Sequence, residues 1–284
     1  MQILITGAAG MLGQDVQAAA AAAGHTPLAL DRAALDITDH DAARDAVARL
    51  QPDVVINCAA FTDVDGAEAA PDAAHAVNAD GAGHVAQAAA RQGAWTIHVS
   101  SDYVFDGDKR TPYVESDTTR PLSVYGASKL AGEHEVRRGA RGDCTVVRTS
   151  WLFGAGGRCF PDTMLRLAGQ RDELRVVDDQ IGCPTFTGHL ARALVALAEP
   201  DGRLAGLVHL AAAGQCSWYE FARETLAETG ATAAVKPVPT SDFPRPAPRP
   251  AYSVLRSERA ERLPVLPDWR EGLRDYLQTR VAVR

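Results

Sequence analysis

Short apolar runs alternate along the first half of the chain with stretches whose apolar residues recur every three to four positions. The runs "QILIT" (2–6), "PLALD" (27–31), "DVVINCAA" (53–60), "AWTIHVSS" (94–101) and "DCTVVRTSW" (143–151) read as strands. Between them, 11–23 reads as a helix stopped by Gly24. "DHDAARDAVARL" (39–50) reads as a helix capped by Thr38 or Asp39. One long helix is expected over 71–93, with Pro71 in its first turn and Gly93 after it, and another over 121–138. Nearly continuous apolar strands alternating with helices predict an α/β fold, a doubly wound parallel sheet of Rossmann type covered on both faces.

After Trp151 the pattern loosens. Helices are expected near 160–169, 187–198, 217–229 and 269–280, with short strands near 174–177 and 207–210. Residues 237–250 hold six prolines and read as an ordered loop over a ligand cleft. The expected division is a dinucleotide-binding domain over 1–150 and a smaller α+β substrate-binding region over 151–284, partly interleaved with the first.

Composition narrows the choices. The 284 residues suffice for a sizeable core, with 46% apolar and 23% charged residues. A net charge of −7 argues against a nucleic-acid surface. No apolar stretch is long enough to span a bilayer. The first strand begins at residue 2, so no signal peptide is expected ahead of it, and the five unpaired, scattered cysteines fit a cytoplasmic protein with reduced thiols. The eight histidines show no metal-binding spacing, and no metal site is expected.

Chemistry concentrates at the strand ends. "ITGAAGMLGQD" places Gly7, Gly10 and Gly13 between the first strand and the first helix. A tight turn, close backbone approach and a helix N-terminus are what a pyrophosphate needs. Asp31 ends the second strand, where an acid can bind an adenosine ribose and favour NADH. Arg32 beside it can hold a 2′-phosphate and favour NADPH, so the preference stays open. Asp36 in "LDIT" is placed to receive an adenine amino group or to begin a helix.

"YGASK" sets Tyr125 and Lys129 four residues apart, on one face of a helix. A cation beside a phenol lowers its pKa and suits it to proton transfer. Ser101 ends the fourth strand, where open parallel sheets bind ligands, and its hydroxyl can hydrogen-bond the oxygen that Tyr125 protonates. Ser100 must point to the opposite face. Tyr103 is either a pocket wall or loop packing.

These motifs resemble those of the extended short-chain dehydrogenase/reductase superfamily. Within it, "DVVINCAAFTDVDGAE", "SSDYVFDG", "VVRTSWLFG", "VVDDQIGCPTFT" and "RPAYSVL" are similar to the dTDP-4-dehydrorhamnose reductases across nearly the whole chain. The resemblance implies a catalytic set of Ser101, Tyr125 and Lys129. It implies a pyrophosphate loop with Gly7, Gly10, Met11 and Leu12, and cofactor contacts that extend to Ile37, Ala59, Ala60 and Thr62. Asn78 falls on a helix asparagine that helps hold the lysine. Val64, Tyr103 and Trp151 fall on positions that border sugar and nicotinamide. Arg249, in the proline-rich segment, is the candidate cation for the diphosphate.

The activity so implied is reduction by NADPH or NADH of the C4 ketone of a dTDP-4-keto-6-deoxy sugar, giving dTDP-L-rhamnose. Alternatives are reduction of a related keto-deoxysugar of an antibiotic pathway, sugar-nucleotide 4-epimerisation, and a non-catalytic NADP-binding regulatory subunit. A monomer or weak homodimer is expected. Some family members dimerise through a metal held by acids. Asp15 can stand for one such acid, but the other aligns near His189, which puts that site in doubt.

Overall fold

The computed structural model describes residues 1–282, so the last two residues of the expected 151–284 region lie outside the described residues. Five strands form where the apolar runs place them: β1 (Gln2–Thr6), β2 (Thr26–Leu30), β3 (Val54–Asn57), β4 (Trp95–Ser101) and β5 (Cys144–Thr149). A sixth, Gly206–His209, pairs with β5, and the order across the sheet is Gly206–His209, β5, β4, β3, β1, β2. Every pairing in this sheet is parallel. Successive residues of β1 serve opposite faces. Ile3 and Ile5 pack with Val16 and Ala20 of α1 (Met11–Ala22) and with Leu190 and Leu194 of the helix Thr187–Ala198. Leu4 packs on the other face, against Ala43 and Val47 of α2 (His40–Leu50). Both faces are thereby covered, which explains why the strands read as unbroken apolar runs.

Two departures from the sequence pattern bear on function. The helix expected over 71–93 is three pieces: α4 (Pro71–His75) after a short α3 (Val64–Ala69), a π-helical stretch Ala76–Gly81, and α5 (Ala82–Arg91). A 3.6-residue periodicity does not register one widened turn, and such turns gather at functional sites. The run 143–151 ends as a strand at Thr149, and two residues on Trp151 takes a left-handed φ of 47°.

Beyond β5 the expected elements form, but they divide between two places. The helix Thr187–Ala198 and the strand Gly206–His209 join the first-half core. The helices Phe160–Ala168 and Trp218–Thr229 instead pack on a separate parallel pair, Glu173–Val177 with Ala234–Val238. The first two residues of the proline-rich run complete that second strand, with Pro237 on a two-stranded sheet where each strand has a free edge. The rest crosses to the first half, where Gly107 lies so close to Pro250 and Ala251 that a Cβ there would stand 2.7 Å from either. No helix among the described residues is long and apolar enough to cross a membrane.

Candidate active site

The sheet order reverses between β1 and β3, and a crevice opens outside their carboxyl ends. Gly7 sits there with φ 65°. A side chain on it would strike Ala59, whose nitrogen would lie 2.6 Å from the added Cβ. Only glycine lets these two chain segments approach so closely. Gly13 is as constrained, with 2.3 Å to the Gly7 carbonyl oxygen. The N-cap of α1 is Gly10, whose side chain cannot satisfy the first N–H groups of the helix. Those donors face the cleft and favour an anion.

The cleft is about 650 Å³. Gly7, Gly10, Met11 and Leu12 line it at the glycine loop; Arg32, Asp36 and Ile37 line it after β2; Ala59, Ala60, Thr62 and Val64 line it after β3. Ser101, Tyr103, Tyr125, Lys129 and Trp151 line its other end. Three expected residues lie off the lining. Asp31 accepts a hydrogen bond from the Ala34 backbone at 2.9 Å, closing its own turn. Asp36, which does line the cleft, accepts from the Thr38 hydroxyl at 2.8 Å, and this bond holds its carboxyl below the usual range.

Asn78 is the second residue off the lining. It lies on the π-helical stretch, receives the Phe61 N–H at 2.8 Å, and donates to the Phe61 carbonyl at 3.1 Å and the Ser128 hydroxyl at 2.9 Å. It ties the loop after β3 to the helix α6 (Val124–Gly139), one residue from Lys129. It makes no bond to Lys129 itself, whose ammonium donates to the Val99 carbonyl at 2.7 Å. Arg249 is the third. It pairs with Asp65 and stands neither on the cleft lining nor free in solvent.

The two serines at the end of β4 divide their work as the alternation of a strand requires. Ser100 turns into the core and donates to Glu133 at 2.6 Å. Glu133 also receives two bonds from Arg148, at 2.8 and 2.7 Å, in a pair whose side chains are each 4% exposed. Ser101 faces Tyr125. The phenol stands edge-on to the Tyr103 ring, with centroids 5.5 Å apart.

The expected lowering of the Tyr125 pKa by Lys129 is not what the structure shows. Burial pushes the phenol up to about 12, opposed only by the Ser101 hydroxyl, while Lys129 is turned to a carbonyl and brought down to about 8 by burial. Desolvation outweighs a cation that points elsewhere. A phenol with a raised pKa is protonated at neutral pH, the state a proton donor needs.

Sequence reasoning missed Trp218. Its ring lies on Trp151 at a 3.5 Å centroid separation and a 3° interplanar angle, and both rings line the cleft. The Ser217–Glu220 capping box marks Trp218 as the start of a helix, but nothing in the sequence says which way its ring points. Arg158 and Asp102 also line the cleft and were not foreseen. His189 binds Asp275 at 2.8 Å, and no group of three or more His, Cys, Asp or Glu among the described residues gathers where it could hold an ion.

Residues 1–281 match the family described as RmlD substrate binding domain. A dTDP-4-dehydrorhamnose reductase of Mycolicibacterium smegmatis is 48% identical over 279 residues, 96% of this chain and 84% of that protein. The chain belongs to the dTDP-4-dehydrorhamnose reductase family. A crystal structure of the Bacillus anthracis dTDP-4-dehydrorhamnose reductase in complex with NADP has a TM-score of 0.94 and 38% identity, over 98% of this chain and 99% of that one. A Streptomyces antibioticus protein named as a probable dTDP-4,6-dihydroxy-2-methyloxan-3-one 4-ketoreductase is 42% identical over 97% of this chain and 94% of its own. In a member of this family, the glycine loop, the uncapped α1 terminus and Arg32 suit a dinucleotide diphosphate and its 2′-phosphate.

Proposed function

We propose that this chain reduces the C4 ketone of dTDP-4-dehydro-L-rhamnose to give dTDP-L-rhamnose, using NADPH in preference to NADH. The observation that carries the reading is the convergence of Ser101, Tyr125 and Lys129 on one cleft with the glycine loop. The cofactor, when bound, supplies the hydride. Tyr125 gives its proton to the ketone oxygen, and its raised pKa keeps that proton available at neutral pH. Ser101 hydrogen-bonds the same oxygen and fixes its position. Lys129 sits where its ammonium can bind the ribose beside the nicotinamide. Asn78 holds the Phe61 loop against α6 and so fixes the distance between cofactor and phenol. Val64, Tyr103 and the Trp151–Trp218 pair wall the sugar-nucleotide end.

The cofactor preference rests on Arg32, which is exposed on the cleft lining, while Asp31 lies off that lining with its Oδ1 engaged by the Ala34 N–H. The free cysteines and the net charge of −7 suit a cytoplasmic enzyme, and a monomer or weak homodimer remains the expectation.

A second reading, reduction of another dTDP-4-keto-deoxysugar, is favoured by the Streptomyces antibioticus relative, which is named for a different keto sugar at comparable identity. The deciding experiment is turnover of both keto sugars with NADPH and NADH, followed at the nicotinamide absorbance. Faster turnover of the second sugar would replace the first reading. A cofactor that stays bound and is never consumed would point instead to an epimerase, and no turnover of any sugar to a non-catalytic subunit.

A further inference from the structure

No role has yet fallen to Asp102, the residue after Ser101. It opens the 3₁₀ turn Asp102–Val104, is 1% exposed, and lies on the cleft lining. Its Oδ1 stands 2.9 Å from Ser101 Oγ. Its Oδ2 is buried against the Ser253 side chain, which together with the Ser101 hydroxyl and the Asp102 and Tyr103 backbone N–H groups favours the carboxylate. The groups that face it are Tyr103 on its own turn, Tyr125 on α6, Cys183 from the segment before the Thr187–Ala198 helix, and Ser253 from the C-terminal part. All are neutral at neutral pH, and no cation among the described residues pairs with it.

A hydroxyl has one hydrogen and two acceptor sites. Ser101 Oγ already accepts the Tyr103 N–H at 3.2 Å. If Asp102 is a carboxylate, the single Ser101 hydrogen goes to it. Ser101 is then left with one free acceptor site, which can only take the Tyr125 hydrogen. The ketone oxygen loses its serine donor, and the phenol points at the wrong partner. If Asp102 is neutral, its own hydrogen goes to Ser101, both acceptor sites are filled, and the serine hydrogen is released.

We propose that Asp102 is a positioning residue that works as the neutral acid, donating to Ser101 Oγ and so turning the Ser101 hydroxyl hydrogen toward the substrate ketone. This rests on the reductase reading above. Burial outweighs those contacts and, with no cation among the described residues beside it, pushes the carboxyl up to about 7, which favours the neutral form. Turnover then depends on a proton at Asp102 that is never itself transferred.

The test is the pH profile of kcat for the full-length chain and for Asp102→Asn, whose amide can donate to Ser101 at every pH. Wild-type kcat is expected to fall on the alkaline side near the Asp102 pKa, and the variant's fall to move up by about one pH unit or more. A fall owned by Tyr125 or Lys129 moves the other way, because losing a neighbouring negative charge lowers both of their pKa values. A limb that stays or moves down overturns the proposal.

A second arm needs no variant at Asp102. In the wild-type chain carrying ¹³C at the aspartate carboxyls, one resonance should titrate above about pH 6, outside the ordinary aspartate range. Burial also raises Asp15, so the spectrum is repeated in Asp15→Asn. If no aspartate other than Asp15 titrates there, the proposal fails. Failure of the reductase reading looks different: the wild-type chain turns over no dTDP-keto sugar at any pH, and this inference falls with it.

Discussion

Arg249 holds Asp65 through two parallel bonds, Nη1 to Oδ1 at 3.0 Å and Nη2 to Oδ2 at 2.9 Å. The pair ties the proline-rich segment to α3, next to Val64 on the cleft lining. The Ala247 N–H adds a third bond to Asp65 at 3.2 Å, and Arg245 a fourth at the same distance. Planar two-point pairing of this kind is among the stronger polar contacts a protein makes. Asp65→Ala and Arg249→Ala should each cost stability, and the double variant should cost less than their sum by about 1–2 kcal/mol. Denaturant melts of the four proteins give that difference; strict additivity would show that the two side chains do not act on each other.

The same pair has a predictable response to acid. Arg249 is the main cause of the depressed Asp65 pKa, below its ordinary 3.8. A depressed folded value means that the contribution is whole above the unfolded value and is lost as pH falls through the folded one. The melting difference between wild type and Asp65→Asn should therefore be steady from neutral pH down to about pH 5 and shrink below about pH 4. A difference that persists unchanged at the lowest pH where the chain folds would contradict the pairing. Titration with dTDP decides separately whether Arg249 also meets a diphosphate: in Arg249→Ala, unchanged affinity would confine it to the Asp65 contact.

Tyr125→Phe removes one hydroxyl from a half-buried ring and leaves the glycine loop untouched. kcat should fall by roughly 10²–10⁴ while NADPH affinity, measured by fluorescence titration, changes little. Turnover near the parent rate would mean that the proton comes from elsewhere.

Arg32→Ala should weaken NADPH relative to NADH, since a 2′-phosphate would lose a charge-assisted bond worth about 1.5–3 kcal/mol. Asp31→Ala should leave the ratio of the two affinities nearly as it was, because that carboxylate serves the Ala34 N–H. A large swing toward NADPH in Asp31→Ala would show that the acid does reach the ribose side.

Glu133 accepts from Ser100 and from Arg148 in the buried interior. Glu133→Ala leaves the Arg148 charge buried and alone, and such breaks cost about 3–5 kcal/mol. Thermal melts read this directly, and a loss below about 1 kcal/mol would mean that Arg148 finds another partner.

The strands, the flanking helices and the cleft at their carboxyl ends were legible because periodicity and glycine spacing are local signals. Gly7, Tyr125 and Lys129 carry their meaning within a few residues of chain. What escaped notice is set by contacts between distant segments. Trp218 finds Trp151 across 67 positions, as their numbers give, and Arg249 finds Asp65 across 184. The π-helical turn under Asn78 escaped for a different reason: a single widened turn leaves hydrophobic spacing nearly unchanged. Asp31 reads as a ribose ligand from its place after β2, but the sequence does not show that its Oδ1 also accepts the Ala34 N–H three residues on.

The sixth strand, Gly206–His209, has a consequence for how this chain can be made and inherited. It covers the edge of β5, every residue of which is buried. A fragment ending near residue 150 would expose that apolar edge, a template for pairing with other chains and a prompt to aggregate. The nascent chain meets the same hazard: until the ribosome has delivered residues 206–209, about sixty positions after β5, the edge waits uncovered. The first-half sheet and the segments that follow β5 therefore cannot be separated by a simple cut and splice. Variation in such a chain must come through substitutions and loop changes that leave the sheet whole.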